Sequence, residues 1–116
     1  MLPKPNRLPS PEIKSLMRTG KRINGDGISL IYRKRDGSAD TSRFAFVVPV
    51  SVDKRAVGRN RLKRLTRESV RLALPFFALG WDGVFFVRKN IPETFTAVNT
   101  IVRYLLSQSG LLNHES

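Results

Sequence analysis

Between Lys54 and Arg71 the chain places eight Lys and Arg residues in eighteen, opposed inside that window by Glu68 alone. At about 100° per residue, Arg59, Lys63, Arg67, Asn60, Arg71 and Arg64 share an arc of roughly 140°. Leu72, Leu65, Ser69, Leu62 and Ala73 fall on the opposite side. The pattern predicts a helix from Ala56 to Leu74, bounded by Pro75, with one face that must be buried and one that must not. Such a helix cannot be surrounded by other elements. It has to lie on the outside of another layer, cationic ridge outward.

A solvated helix face is the plain explanation of a charge run, but it usually mixes Glu with Lys at i, i+4. Here Arg59, Lys63, Arg67 and Arg71 stack like charges at that spacing, which weakens an isolated helix. The ridge also favours Arg, whose planar fork grips phosphate through two bonds and stacks on bases. The whole chain carries a formal charge of +12 in 116 residues. A polyanion is therefore the expected partner, nucleic acid before membrane. A basic helix can enter the major groove of DNA. This one has no helix-turn-helix companion in the sequence, so a phosphate surface of folded RNA fits it better.

The layer beneath the helix is legible in outline. Hydrophobic residues make up 41% of the chain, enough for one folded domain, and Cys is absent, which excludes disulfides, thiolate metal sites and thiol nucleophiles. Residues 1–9 hold Pro3, Pro5 and Pro9 with Lys4 and Arg7, and are expected to form a mobile basic arm. Ser10 as N-cap and Pro11 open a helix to Thr19, with Ile13, Leu16 and Met17 on one face and Gly20 as its stop. Lys21–Asn24 is a weak strand and Ile28–Arg33 a clear one, followed by a turn at Asp36-Gly37-Ser38. Phe44–Val48 is apolar on both alternations, so it is expected to lie centrally in the sheet. Gly80-Trp81-Asp82-Gly83 reads as a turn before a strand at Val84–Arg88. A last helix places Phe95, Val98, Ile101, Val102, Leu105 and Leu106 on one face and ends at Gly110, with 111–116 as a fraying tail. The expectation is one α+β domain over 10–110, helices packed on a sheet.

The run Arg59-Asn60-Arg61-Leu62-Lys63-Arg64-Leu65-Thr66-Arg67-Glu68, with Ala56 and Val57 in register, resembles the signature of the bacterial ribonuclease P protein subunit. The likeness extends along nearly the whole chain, including Phe85-Phe86-Val87-Arg88-Lys89 before the final helix. It implies a two-layer α/β sandwich in the order α-β-β-β-α-β-α. The four-stranded sheet would carry an uncommon left-handed β-α-β crossover, as in the second domain of a small-subunit ribosomal protein. It also implies an accessory role: a catalytic RNA removes the 5′ leader of precursor tRNA, with Mg²⁺ held by RNA and substrate. The motif helix, through Arg59, Asn60, Arg61, Lys63, Arg64, Arg67 and Arg71, would dock on that RNA, one protein to one RNA. A cleft between the first helix and the sheet would hold the single-stranded leader. The candidates for it are Ile13, Lys14, Met17, Tyr32, Phe44, Phe46, Val48, Lys54, Arg55 and Arg88.

Two departures from the family pattern concern that cleft. Ile13 and Met17 stand where aromatic residues are common, and both read equally well as core. Val50-Ser51-Val52-Asp53-Lys54-Arg55 replaces a Ser-Lys-Lys run, and Asp53 is unexpected beside a polyanion. A nuclease centre in the protein itself would need clustered carboxylates. Its acids are instead scattered, Asp26, Asp36, Asp40 and Asp82 falling mostly at turn signals, and its single His114 sits in the tail. The competing readings are a ribosomal or ribosome-assembly protein of related fold, a sequence-specific DNA binder and a protein-only nuclease. No apolar run is long enough to span a bilayer and the N-terminus lacks a signal-peptide core, so a cytoplasmic location without membrane contact is expected.

Overall fold

The layer that the basic helix requires is a four-stranded sheet. In the computed structural model, which describes residues 2–35, 41–74 and 78–111, the elements are α1 (Ser10–Thr19), β1 (Lys21–Asn24), β2 (Ile28–Lys34), β3 (Arg43–Val47), α2 (Ala56–Ala73), β4 (Trp81–Val87) and α3 (Phe95–Ser109). The α-β-β-β-α-β-α order is the expected one. The sheet runs β1-β2-β4-β3, antiparallel except for β3 beside β4. Helix α2 is the crossover that joins this parallel pair, since a parallel connection has to return along the sheet. The turn expected at Asp36-Gly37-Ser38, Pro75 and His114 lie outside the described residues.

Alternation along the strands sorts the core onto two faces. Ile28, Leu30, Phe44, Phe85 and Val87 point to the side covered by α2 and α3, where they meet Leu62, Val70, Val98, Val102 and Leu105. Ile31, Ala45 and Val84 point to the other side, where α1 sets Leu16 on them. Helix α3 is capped as its sequence demands: Thr94 accepts a bond from Ala97 N at 3.3 Å, and Gly110 takes the left-handed conformation at φ 76°. Gly20 ends α1 for a different reason. Its φ is −76°, but a Cβ there would stand 2.8 Å from Ile31 Cγ2 and 2.9 Å from Leu16 O. Only a residue without a side chain lets the chain pass so close to β2.

Several expectations are overturned. First, β3 lies at the sheet edge and not in its centre. Its apolar run is covered because residues 2–8 seal the edge. The arm expected to be mobile makes a 3₁₀ turn at Lys4–Asn6. Arg7 bridges Phe44 in parallel, Leu8 N donates to Phe44 O at 2.9 Å, and Asn6 Nδ2 donates to Ser42 O at 2.9 Å. Leu2 and Leu8 are 2% and 6% exposed, so apolar burial offsets the entropy lost in ordering the arm. Second, Trp81, Asp82 and Gly83 belong to β4 and not to a turn; they pair with Lys34, Arg33 and Tyr32. Asp82 is fully buried because Arg43 reaches it through Nε (2.9 Å) and Nη2 (2.8 Å). The same guanidinium donates to Glu12 at 3.1 and 3.0 Å, tying the first turn of α1 to the edge of the sheet. Third, α1 starts at Ser10, with Pro9 in the N-cap position and no capping side-chain bond. Of the tail, Leu111 is buried in the core and 112–116 lie outside the described residues.

Candidate nucleic-acid interface

How α2 is rolled against the sheet decides which of its cations face outward. Its buried residues are Gly58, Leu62, Thr66, Ser69, Val70 and Ala73. Leu72, expected in the buried face, is 49% exposed. The buried arc is thus turned towards Arg59, because Val70 and Thr66 pack inward. Arg59 therefore sits on the border, half-buried, and its Nη1 donates to Asp53 O (2.9 Å) and Lys54 O (3.0 Å). That residue braces the loop that leads into the helix.

Lys54 is exposed in the loop before α2 with no carboxylate partner among the described residues, and the other six cations of the window divide by counter-ion. Arg55 pairs with Asp53 at 2.9 Å and Glu93 at 3.6 Å, Arg61 with Glu93 at 3.6 Å, and Arg71 with Glu68. Lys63, Arg64 and Arg67 have no carboxylate partner among the described residues, and Asn60 between them makes no side-chain hydrogen bond there. These four present an unneutralised donor surface, of the sort that binds phosphate. Asp53 is explained as part of the same build. Its carboxylate accepts from Arg55 N at 2.9 Å at the start of α2 and lies where a Cβ on Gly58 would be, 1.8 Å from its Oδ2. The Arg55 guanidinium and backbone N–H hold that carboxyl below its usual pKa, and the Arg71 guanidinium does the same to Glu68.

Between α2 and β3 the ridge borders a cleft of about 360 Å³. Asn60, Lys63 and Arg67 form one wall, Phe44 and Phe46 the other, and Leu2 and Arg7 of the arm close its end. Arg7 and Leu2 were missed by sequence reasoning because the arm was read as detached. The signal available was the Leu2–Leu8 pair, apolar in an otherwise polar segment.

The ten leader-cleft candidates are not brought together. Ile13 and Met17 lie half-buried on the α1 side, with Val47 and Phe86 beside them. Tyr32, Phe44, Phe46 and Val48 belong to the core on the opposite face, Tyr32 against Trp81 with ring centroids 5.8 Å apart. Period-2 alternation gives the reason: Ile31 and Tyr32 cannot share a face, and neither can Phe46 and Val47. Lys14 is exposed on α1. Lys54 and Arg55 line an open recess with Asn90 and Glu93, and Arg88 donates to Gly25 O beyond the end of β4. The α1 face of the sheet therefore carries Ile13, Met17, Val47 and Phe86 as its partly buried apolar residues. Arg33 stands at its side, donating to Thr19 Oγ1 at 2.6 Å.

The donor set does not suit a resident Mg²⁺. Every carboxylate among the described residues is in an ion pair with Lys or Arg, and no three of His, Cys, Asp and Glu converge there. No helix among the described residues is long and apolar enough to cross a membrane.

A family model described as Ribonuclease P matches residues 2–108. The ribonuclease P protein component of Rippkaea orientalis is 40% identical over 97 residues, which cover 79% of this chain and 76% of that protein. Among solved structures, the RNase P protein of Staphylococcus aureus superposes with a TM-score of 0.81 at 18% identity, covering 95% of this chain and all of that one. The RNase P protein of Thermotoga maritima gives 0.75 at 28% identity, covering 88% and 96%.

Proposed function

Because the chain belongs to the ribonuclease P protein family, we propose that it is the accessory subunit of the ribonucleoprotein that removes 5′ leaders from precursor tRNA in the cytoplasm. The surface of Asn60, Lys63, Arg64 and Arg67 docks on the catalytic RNA, one protein to one RNA. The observation that carries this is the split among the cations of α2. Arg55, Arg61 and Arg71 pair with carboxylates of the protein, while Lys63, Arg64 and Arg67 have no carboxylate partner among the described residues. Phosphates of a folded RNA supply the missing negative charge, and the released counter-ions make the association salt-dependent.

The α1 face takes the single-stranded leader. Ile13, Met17, Val47 and Phe86 offer apolar surface to bases, as single-strand binders do, with Arg33 nearby for the backbone. Hydrolysis itself is assigned to the RNA with the Mg²⁺ that it and the substrate hold. The paired carboxylates among the described residues do not fit a metal centre.

The test is cleavage of a precursor tRNA by the cognate catalytic RNA at low Mg²⁺, with and without the protein. Restored cleavage at the 5′ boundary, with the protein inert alone, is the expected result. A protein that neither binds that RNA nor changes the rate would contradict the reading, and a ribosome-bound fraction in a gradient would then favour the ribosomal alternative.

A further inference from the structure

We propose that the cleft between α2 and β3 is a nucleotide-binding site that takes one unpaired nucleotide of the ribonuclease P RNA. Its base would lie against Phe46 and Asn60, its flanking phosphates on Arg7, Lys63 and Arg67. The inference rests on the RNA-docking role of the α2 ridge and adds to it a specific occupant.

The walls supply each part of a nucleotide with its complement. Phe46 lies parallel to the buried Phe85, with centroids 5.7 Å apart and planes within 11°. Phe46 is half-buried and lines the cleft, so a two-ring column ends at the opening. A base laid on it extends the stack, an interaction every base can make. Asn60 reaches the same space with an exposed amide that makes no bond among the described residues, and it can donate and accept at a base edge. Arg7 is held in place, since its Nε donates to Leu2 O at 2.9 Å. Neither terminal nitrogen of Arg7 has a partner among the described residues. Among the described residues no carboxylate lines the cleft, whereas three cations do.

Size and position narrow the occupant. A volume of about 360 Å³ suits a small ligand and excludes a double helix, so the nucleotide has to be unpaired. The cleft shares Asn60, Lys63 and Arg67 with the surface that docks the catalytic RNA. The face assigned to the leader lies across the sheet, on the α1 side. The nucleotide therefore comes from the catalytic RNA.

A short single-stranded RNA with one central 2-aminopurine, titrated with the full-length protein, tests the site by fluorescence. Wild-type protein should quench the probe saturably, and the same sequence in a duplex should not be quenched. Phe46→Leu, which keeps the core filled, and Arg7→Ala, which touches no core, should each weaken probe binding, the former roughly tenfold. Tyr104→Leu, exposed on α3, should not. Quenching that survives Phe46→Leu and disappears in Phe86→Leu would overturn the proposal by placing the base on the α1 face. So would absence of quenching in a protein that still assembles with the catalytic RNA, which leaves the ridge reading standing. Failure to bind that RNA at all removes both.

In the assembled enzyme, a Phe46→Leu defect that is independent of leader length supports the assignment to the catalytic RNA. A defect that vanishes when the leader is cut to one nucleotide assigns the base to the leader and overturns it.

Discussion

Two groups of cations in this protein have the same chemistry and opposite uses. At the β3–β4 edge, Arg43 is enclosed by Asp82 and Glu12, and Arg35 Nε stands 3.3 Å from the same aspartate. The Asp82 and Glu12 bonds keep the Arg43 guanidinium charged well past its ordinary range. On α2, Lys63, Arg64 and Arg67 have no carboxylate partner among the described residues. The first group joins α1, β3 and β4; the second is left open to the external anion proposed for it. What separates a structural arginine from a binding one is the counter-ion, and the count of positive residues carries no information about it.

The comparison can be broken at several points. The largest effect is expected from Asp82→Ala. It leaves Arg43 and Arg35 beside a buried gap and should destabilise the fold by about 3 kcal/mol, read by denaturant unfolding; a loss under about 1 kcal/mol would mean that the cluster behaves as a surface pair. Leu2→Ala comes next, at about 2 kcal/mol for a buried leucine. An unchanged midpoint would show that the arm is not seated on β3. Arg67→Ala inverts the pattern. Stability should stay within about 0.5 kcal/mol, while affinity for the catalytic RNA falls by about 1–2 kcal/mol through loss of a charge-assisted phosphate contact.

The smallest effects belong to exposed pairs. Glu68→Gln, which frees Arg71, should leave the denaturant midpoint essentially unchanged, because exposed ion pairs contribute little. Because their arginine partners hold the Asp53 and Glu68 carboxyls low, both stay ionised below the ordinary range. Their small stabilising effect is present above the unfolded-state pKa and disappears as pH falls through the folded one. Carboxyl NMR titrations should give midpoints below ordinary carboxylate values, and ordinary midpoints would show the pairs to be open in solution.

Much of this was legible before any coordinates. The order of elements followed from apolar periodicity, Pro and Gly, and the cationic ridge from helical spacing alone. The misreadings share a cause: each depended on contacts distant in sequence. Asp82 resembles a turn residue because its partner Arg43 is 39 positions away. Phe44–Val48 looked central because an edge strand covered by its own N-terminal arm has the same apolar composition as a buried one. Tyr32, Phe44 and Phe46 were grouped with Ile13 and Met17 through the family likeness, which named a cleft between the first helix and the sheet without fixing which alternation faces α1. Strands β2 and β3 announce their parity but not which face α1 will cover. Arg59 was placed on the cationic arc, at its edge, because the wheel could not foresee that Val70 and Thr66 roll inward.

The most direct measurement is the salt dependence of binding to the ribonuclease P RNA for two multiple variants. In one, Lys63, Arg64 and Arg67 are replaced by Gln; in the other, Arg55 and Arg71 are. If the unpartnered cations are the phosphate contacts, the first variant should flatten the log–log slope by roughly 2–3 and the second by less than about 1. Equal flattening by both, or an unchanged slope in the first, would contradict the division between paired and unpaired cations.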